Sequence, residues 1–489
     1  MHQFLTPAKK PLKVLKSIGY ICDTSIQMPF RSIHPQSFIC NIGQLRRPAI
    51  IAKNTTLFHL YLSTIKLGKL PGCVVDIREL KMPNFSTVLT LLVLFSVSAN
   101  AAATKKVFST SSRDDVIIHS SITDDTICKS LVQTQGYVCE EHKVTTKDGY
   151  ILSVQRIPVG QSGKTEDKPP VLLQHGILVD AAPWLLNSPD ESLGFILADN
   201  GFDVWLANTR GTKYSRGHTS LSPNDSAYWE WSWDELVHYD LSALVQYVHD
   251  QTGQKFHYVG HSLGTLIALA AFSKQELLNM FRTAALLSPI AYLDQIPSQL
   301  TKAAAQLYLA EDLYGLGYRQ FPPGWDVLAP FLEEICNKPG NDCSNLMTAF
   351  TGPNCCVNSS KAGVLLKHEP QPTATKNMIH LSQMIRTGTI TMYDYGSKDE
   401  NMGHYGQPTP PTYNMRSIPK DLPLFLGYGG KDMLADVKDV KTLLNDLKDH
   451  DISKLVVVYR KDYAHADFIL GVNANQVVYD PLVSFFKLH

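Results

Sequence analysis

The sequence has no excess of charge of either sign, because its 489 residues include 45 Lys and Arg and 45 Asp and Glu. The two signs are unevenly distributed: residues 1–81 hold 12 basic and 3 acidic residues, and the remainder holds 33 and 42. Nucleic-acid-binding domains concentrate basic residues on one face. A mildly acidic body therefore gives no reason to expect a nucleic-acid partner. We also find no internal repeat and no low-complexity segment.

The uncharged stretch at residues 82–104 is too short to be a membrane-spanning helix. Its apolar core covers only residues 88–97, whereas a span needs about 20 residues. Ala99-Asn100-Ala101 matches a cleavage pattern, so we interpret residues 82–103 as a signal peptide. A signal peptide belongs at an N-terminus. We therefore hypothesise that translation starts at Met82 and that the basic extension, residues 1–81, is absent from the mature protein. The alternative is a signal anchor with a cytoplasmic basic tail.

The signal peptide predicts entry into the secretory pathway, with a final location outside the cell or in the lysosome or vacuole. Residues 104–127 are largely polar and are predicted to be a linker. The folded part is predicted to cover residues 128–489. Asn224 and Asn358 begin Asn-x-Ser sequences, so both are glycosylation candidates.

The cysteines lack the spacing with histidines that marks a zinc site, so we expect no metal and no cofactor. An even set of six cysteines follows the predicted signal peptide: Cys128, Cys139, Cys336, Cys343, Cys355 and Cys356. In a secreted chain such a set suggests disulfides, and buried free thiols are the alternative. Cys128–Cys139 is a plausible local pair, and the other four allow three connectivities. Because Cys355 and Cys356 are adjacent, we expect each to pair with another cysteine.

The feature around which the chain is organised is a G-x-S-x-G sequence centred on Ser262. The preceding run, residues 255–259, is half β-branched or aromatic and predicts a strand. The following run, residues 265–272, is apolar and predicts a buried helix. A serine at such a strand-to-helix turn has an exposed hydroxyl and a strained backbone. A side chain in place of Gly260 or Gly264 would crowd the strand or the helix. The alternative is an ordinary glycine turn.

Strands and helices alternate along most of the folded part, which predicts an α/β fold with a mostly parallel central sheet. Predicted strands occupy 171–174, 202–207, 255–259, 284–287, 422–426 and 455–459. The alternation stops at about 291–417, a stretch too long for a loop. We interpret this stretch as an inserted, mainly helical cap.

A serine nucleophile needs a base, and the base needs an orienting acid. Asp432 follows the predicted strand at 422–426, and His465 follows the last strand, so both lie in suitable loops. Asp436 and Asp439 are alternatives for the acid, but they lie further into the next predicted helix. Each residue alone is compatible with a surface loop. Their joint order after Ser262 favours a catalytic triad.

Two backbone amides are candidates for binding a developing oxyanion. The Leu263 N–H lies at the start of the helix after the serine. The Ile177 N–H lies in the loop after the strand at 171–174, where such folds place a second donor. His175 and His261 lie near these amides, and we assign both a structural role.

These stretches together resemble the acid lipase family, which includes gastric lipase, lysosomal acid lipase and plant triacylglycerol lipases. The resemblance covers most of the chain from Gly136 onwards, in the stretches GYVCEEHKVTTKDGYILSVQRIP, LLQHGILVDAAPW, VWLANTRGTKYSRGH, YVGHSLGT, MYDYGSKDENMGHYGQPTPPTYNM, GGKDMLAD and YAHADFIL. The G-x-S-x-G turn, with Leu263 after the serine, and the cysteine-rich cap are most similar to those of the plant branch of the family. Residues 1–81 match nothing in the family.

The resemblance implies an α/β-hydrolase that cleaves acylglycerols at a lipid–water interface, without an obligate protein partner. In the family pattern, Ser262, Asp432 and His465 are nucleophile, acid and base. The resemblance further implies a mobile lid within about Gly324 to Gly352. A steryl ester hydrolase or an acyltransferase with the same triad is an alternative, and a non-catalytic lipid binder is a second one. Loss of a triad residue would favour the binder, and none is lost.

Overall fold

The computed structural model describes residues 21–22, 73–74, 126–163, 168–323, 346–361, 365 and 368–489. The predicted signal peptide and most of the predicted linker lie outside these residues. So does most of the predicted lid, together with Cys336 and Cys343. The described residues of the N-terminal extension, Ile21–Cys22 and Cys73–Val74, pair as a short antiparallel ladder.

The folded part contains a nine-stranded sheet that is mostly parallel, as its strand pattern predicts. The strands of the folded part are β1 (Glu140–Thr145), β2 (Tyr150–Ile157), β3 (Pro170–Gln174), β4 (Asp203–Ala207), β5 (Gly217–His218), β6 (Phe256–His261), β7 (Phe281–Leu287), β8 (Gln320–Phe321), β9 (Thr373–Ala374), β10 (Leu424–Gly429) and β11 (Leu455–Arg460). The sheet order is β11-β10-β7-β6-β3-β4-β2-β1, and β5 pairs with β2. The six strands from β11 to β4 are parallel, and β2 and β1 are antiparallel.

Helices are distributed along the whole folded part. They are α1 (Leu193–Asp199), α2 (Trp233–Glu235), α3 (Ser242–Thr252), α4 (Leu263–Ser273), α5 (Gln299–Gln306), α6 (Leu309–Gly315), α7 (Leu346–Thr351), α8 (Thr375–Thr387), α9 (Lys398–Tyr405), α10 (Val437–Asp446), α11 (Asp467–Leu470) and α12 (Asp480–Leu488). A capping box is present at α2, where Ser232 and Glu235 satisfy each other's backbone amides. A π-helical segment, Leu236–Leu241, joins α2 to α3.

Both faces of the central strands are buried, which a parallel sheet requires. Successive residues of β3 show this: Leu172 packs in the core on one face, with α3 and α4. Val171 and Leu173 pack on the other face, with α1 and α12. The continuous apolar runs of the central strands follow from this two-sided burial.

Residues 291–417, here called the insert, separate β7 from β10 in the chain. Their described part contains α5 to α9 and the antiparallel pair β8–β9. The predicted mainly helical character is therefore found in this part. α8 packs against both α5 and α6.

The cysteine predictions have two outcomes. Cys128 and Cys139 form the expected disulfide at the start of the folded part. The expectation that Cys355 and Cys356 pair with other cysteines is wrong, since the structure joins them to each other. Both of their backbone amides donate to the carboxylate of Asp467, at 3.1 and 3.0 Å. This shared acceptor holds the two residues in one turn.

Candidate active site

The carboxyl ends of four parallel strands meet at one edge of the sheet. In the register, Gln174 of β3 is opposite Gly260 of β6. His261 of β6 is opposite Leu287 of β7, which is opposite Gly427 of β10. The loops that follow these strands therefore converge, and ligand sites of α/β folds form at this edge.

Ser262 forms the turn between β6 and α4 with a strained backbone, at φ 54° and ψ −119°. A non-glycine residue seldom adopts this conformation. The two flanking glycines are needed for close packing, as predicted. A Cβ at Gly260 would lie 2.8 Å from the carbonyl carbon of Gly264, and a Cβ at Gly264 would lie 2.5 Å from the carbonyl oxygen of Gln174. The serine is thus held at the end of a rigid strand, next to the first N–H groups of α4.

The loop after β3 lies directly against Ser262. A Cβ at Gly176 would come within 2.9 Å of the Ser262 Cβ and 3.4 Å of its Oγ, so this approach requires glycine. Ile177 is the next residue, and its amide belongs to the same loop. The structure therefore brings both predicted oxyanion residues, Ile177 and Leu263, next to the serine turn.

His175 supports this loop from within the core. Its Nε2 accepts the Thr209 amide at 3.1 Å, so its Nδ1–H donates to the Gly176 carbonyl at 2.7 Å. Burial lowers the pKa of His175 to about 4, which keeps the ring neutral at physiological pH. Its contacts agree with the structural role expected from the sequence.

Asp432 and His465 meet beside the serine turn. The Nδ1 of His465 lies 3.0 Å from each carboxylate oxygen of Asp432. The Leu434 and Ala435 amides also donate to this carboxylate, each at 2.8 Å. Burial opposes ionisation, but His465 and these donors lower the pKa of Asp432 below its usual value. The carboxylate is therefore ionised, and its position fixes the Nδ1–H tautomer of His465.

The opposite nitrogen of His465, Nε2, is buried and has no hydrogen-bond partner among the described residues. With the proton on Nδ1, this nitrogen carries a free lone pair and can act as a base.

The alternative acids are used elsewhere. Asp436 caps α10 by accepting the Lys438 amide at 2.7 Å, and Asp439 accepts the Gln295 amide at 3.3 Å.

Two further residues at this edge hold the His465 loop. Ser288 follows β7 at a positive φ of 51°. Its amide donates to the Gly427 carbonyl at 2.8 Å, and its hydroxyl lies near both the His465 carbonyl, at 3.4 Å, and the Asp432 carboxylate. His261 donates from Nε2 to the same His465 carbonyl at 3.0 Å. Burial and the neighbouring His465 lower the pKa of His261 to about 3.

Sequence analysis missed Ser288, although its position directly after a predicted central strand indicates this edge. It also missed the role of residues 351–357 of the insert, here called the contact segment. The Thr351 carbonyl accepts the His465 amide at 3.0 Å, and the Asn354 Oδ1 accepts the Ala466 amide at 3.1 Å. Asp467 adds to this connection, because it accepts the amide of Ala464 at 2.7 Å as well as those of the two bonded cysteines.

Two family descriptions match the chain. "Partial alpha/beta-hydrolase lipase region" matches residues 128–188, and "alpha/beta hydrolase fold" matches residues 169–312. Triacylglycerol lipase 2 of Arabidopsis thaliana is 53% identical over 365 residues, covering 74% of this chain and 87% of that protein. The chain belongs to the α/β-hydrolase lipase family. The predicted fold class and the predicted family are therefore confirmed.

Two other relatives extend the similarity across kingdoms. Triacylglycerol lipase 1 of Arabidopsis thaliana is 42% identical, covering 76% of this chain and 92% of that protein. Human gastric triacylglycerol lipase is 39% identical, covering 72% of this chain and 88% of that protein. This family assignment makes the chain a serine ester hydrolase of the lipase class.

One group of side chains in the described part of the chain has the proximity needed to hold a metal ion: Cys355, Cys356 and Asp467. The two sulfurs are bonded to each other and offer no thiolate ligand. Within the described ranges, no helix is both long and apolar enough to cross a membrane.

Proposed function

We propose that this protein hydrolyses acylglycerol esters, with Ser262 as nucleophile, His465 as general base and Asp432 as orienting acid. The observation that carries the proposal is the contact of His465 Nδ1 with both Asp432 oxygens at 3.0 Å, at the sheet edge that also holds the strained Ser262. The family assignment supports an ester hydrolase with this chain order of residues.

The reaction begins when the Ser262 Oγ attacks the ester carbonyl carbon and its proton passes to His465 Nε2. The resulting oxyanion accepts hydrogen bonds from the Ile177 and Leu263 amides. When the intermediate collapses, His465 returns the proton to the departing alcohol and an acyl-serine ester remains. Water then attacks this ester, again giving a proton to His465, and the fatty acid leaves with Ser262 restored.

The electrostatics support each role. Asp432 is ionised in the core, so it stabilises the imidazolium that forms when His465 takes the proton. Each oxyanion donor contributes roughly 10²–10³ in rate when it points at the developing charge. The Ser262 hydroxyl and His465 Nε2 need only approach each other when substrate binds, since catalytic hydrogen bonds often shorten in the complex.

The substrate class follows from the relatives, whose names describe triacylglycerol lipases from a plant and from human. By the same argument we assign acylglycerols to this site and place the reaction at a lipid–water interface. The contact segment of the insert bonds to the His465 loop, so we assign to the insert the choice of acyl chain and head group. No protein partner is needed for this chemistry.

We further propose that the protein matures in the secretory pathway. The Cys128–Cys139 disulfide supports an oxidising compartment. Asn224 is exposed and Asn358 is partly exposed, so both are accessible to glycosylation. N-terminal sequencing and glycopeptide mapping of the native protein test this, and peptides from residues 1–81 would contradict the Met82 start.

A single substrate panel tests the activity. The purified protein should hydrolyse triacylglycerol faster than steryl ester, and a phosphonate ester should label Ser262 and block both activities. Ser484→Ala is the matched control, because Ser484 is exposed on α12. Labelling should persist in this variant and vanish in Ser262→Ala. Faster cleavage of steryl ester, or preferred transfer of the acyl group to an added alcohol, would replace the acylglycerol assignment.

A further inference from the structure

The loop that carries Ile177 is held on its outer side by the insert. The Asp180 amide donates to the Glu369 Oε1 at 3.2 Å, although the two residues are 189 positions apart. Nearby, the Gln371 amide donates to the Leu178 carbonyl at 2.8 Å. Leu178 has a positive φ of 60°, so its conformation depends on such contacts. The insert thus contacts the residue directly after Ile177.

The side chains of Asp180 and Glu369 form a carboxyl pair that lacks the donors a pair of anions needs. Asp180 is fully buried, and one of its oxygens accepts the Ala182 amide at 2.7 Å. The remaining oxygens, Asp180 Oδ2 and Glu369 Oε2, are buried and have no hydrogen-bond partner among the described residues. Two ionised carboxylates in contact would repel each other, whereas one shared proton supplies the missing donor.

The charged groups that face the pair do not replace this proton. Lys213 and His368 act on Asp180 from a distance, and neither makes a hydrogen bond to either carboxyl group in the described structure. Burial and the neighbouring Asp180 raise the pKa of Glu369 to about 9, and burial raises the pKa of Asp180 as well. The pair therefore retains a proton through the neutral range.

We propose that Asp180 and Glu369 are positioning residues that share one proton in a carboxyl–carboxylate hydrogen bond, which holds the Ile177 amide in place. This inference rests on the proposed function, because Ile177 acts there as an oxyanion donor. When the shared proton is lost at high pH, the two carboxylates repel and the Ile177 loop separates from the insert. Oxyanion stabilisation should then weaken, so kcat should fall while KM changes little.

The test is the pH profile of kcat for a soluble short-chain ester, measured for three variants. In Glu369→Gln the amide donates to Asp180 at every pH, so the alkaline fall in kcat should move up by about one pH unit or more. In Glu369→Ala kcat should drop about 10- to 100-fold, less than the roughly 10²–10³ that complete loss of an oxyanion donor costs. Glu400→Gln, the same change at an exposed carboxyl of the insert, should match the wild type.

A Glu369→Gln variant with the wild-type pH profile would overturn the inference, even if its thermal stability changed. Phosphonate labelling separates this result from a failure of the proposed function. If the wild type neither hydrolyses the ester nor labels at Ser262, the proposed function fails and the inference fails with it. If the wild type does both and the profile of Glu369→Gln is unchanged, only the role of the carboxyl pair is refuted.

Discussion

Two carboxyl groups contact loops of the candidate site, and their surroundings favour opposite charge states. Asp432 supports His465 and receives two backbone amides and the imidazole N–H. Glu369 supports the Ile177 loop and receives one backbone amide, with another carboxyl group beside it. Burial disfavours ionisation at both places. The larger number of donors favours ionisation of Asp432, and the lack of donors favours protonation of Glu369.

The difference also separates the chemistry from its support. In the proposed mechanism Asp432 acts directly on His465, so its substitution should impair the proton transfer itself. Glu369 acts through the backbone of the Ile177 loop, so its substitution should lower kcat only in part.

Removal of the proposed nucleophile or the proposed base should be the most damaging change. Ser262→Ala and His465→Ala should each lower kcat by about 10⁴–10⁶, and the double variant should lose little more, because a triad acts as a unit. Steady-state kinetics with a soluble ester measure this. Near-normal hydrolysis by Ser262→Ala would refute the mechanism.

Asp432→Asn should lower kcat by roughly 10⁴, because the amide favours the wrong tautomer of His465 and cannot stabilise the imidazolium. Asp436→Asn is the matched control. Asp436 caps α10 and makes no contact with His465 in the described structure, so this variant should keep kcat within a few-fold. If the control loses activity and Asp432→Asn keeps it, the acid is assigned to the wrong residue.

The contact segment should have a smaller effect on the same side of the site. Asn354→Ala removes the acceptor of the Ala466 amide, a hydrogen bond typically worth about 0.5–1.5 kcal/mol. We expect kcat to fall by up to about 10-fold, with little change in KM. Asn445→Ala, at an exposed position, is the control. A loss confined to KM would show that the segment acts on substrate binding and not on the His465 loop.

The smallest expected effect is on the free energy of unfolding. Its dependence on pH should have opposite signs for Asp432 and Glu369. The pKa of Asp432 is lowered on folding. Its contribution to the free energy of unfolding is therefore present above pH 3.8 and disappears as the pH falls through the pKa of the folded state. The pKa of Glu369 is raised from 4.5 to about 9, so its contribution is present at low pH and is lost as pH rises toward 9.

Thermal unfolding across pH 3 to 9 checks these signs, with about 1–2 °C expected per kcal/mol for a folded part of this size. The Tm deficit of Asp432→Asn should shrink in acid. Glu369→Gln should gain Tm relative to the wild type as pH rises. Parallel curves for the wild type and both variants would contradict the assigned charge states.

Local sequence was sufficient to predict the serine turn. The two glycines around Ser262 are required by contacts within the strand, the turn and the helix, so the information lies within a few residues. Asp432 and His465 could be predicted because each follows a strand with a strong apolar pattern, and the topology brings such loops together. The strained Ser262 turn and the Asp432–His465 contact are observed in the structure, and the catalytic roles stay predictions.

The supporting contacts could not be predicted in this way. The adjacent cysteines show the limit, since the carboxylate that accepts both of their amides belongs to Asp467, which lies 112 and 111 residues away. Ser288 carries no motif, and its position directly after a predicted strand is the one signal that indicates it.

The sequence by itself determined the fold class, the family and the order of the candidate triad, because strand pattern, turn glycines and chain order are local properties. Only the tertiary structure decided which groups keep their protons and which segments hold the loops. Charge state depends on burial and on donors that come from distant parts of the chain. Asp180 and Glu369 illustrate this, because no sequence motif marks either residue. Their side chains come together only after folding.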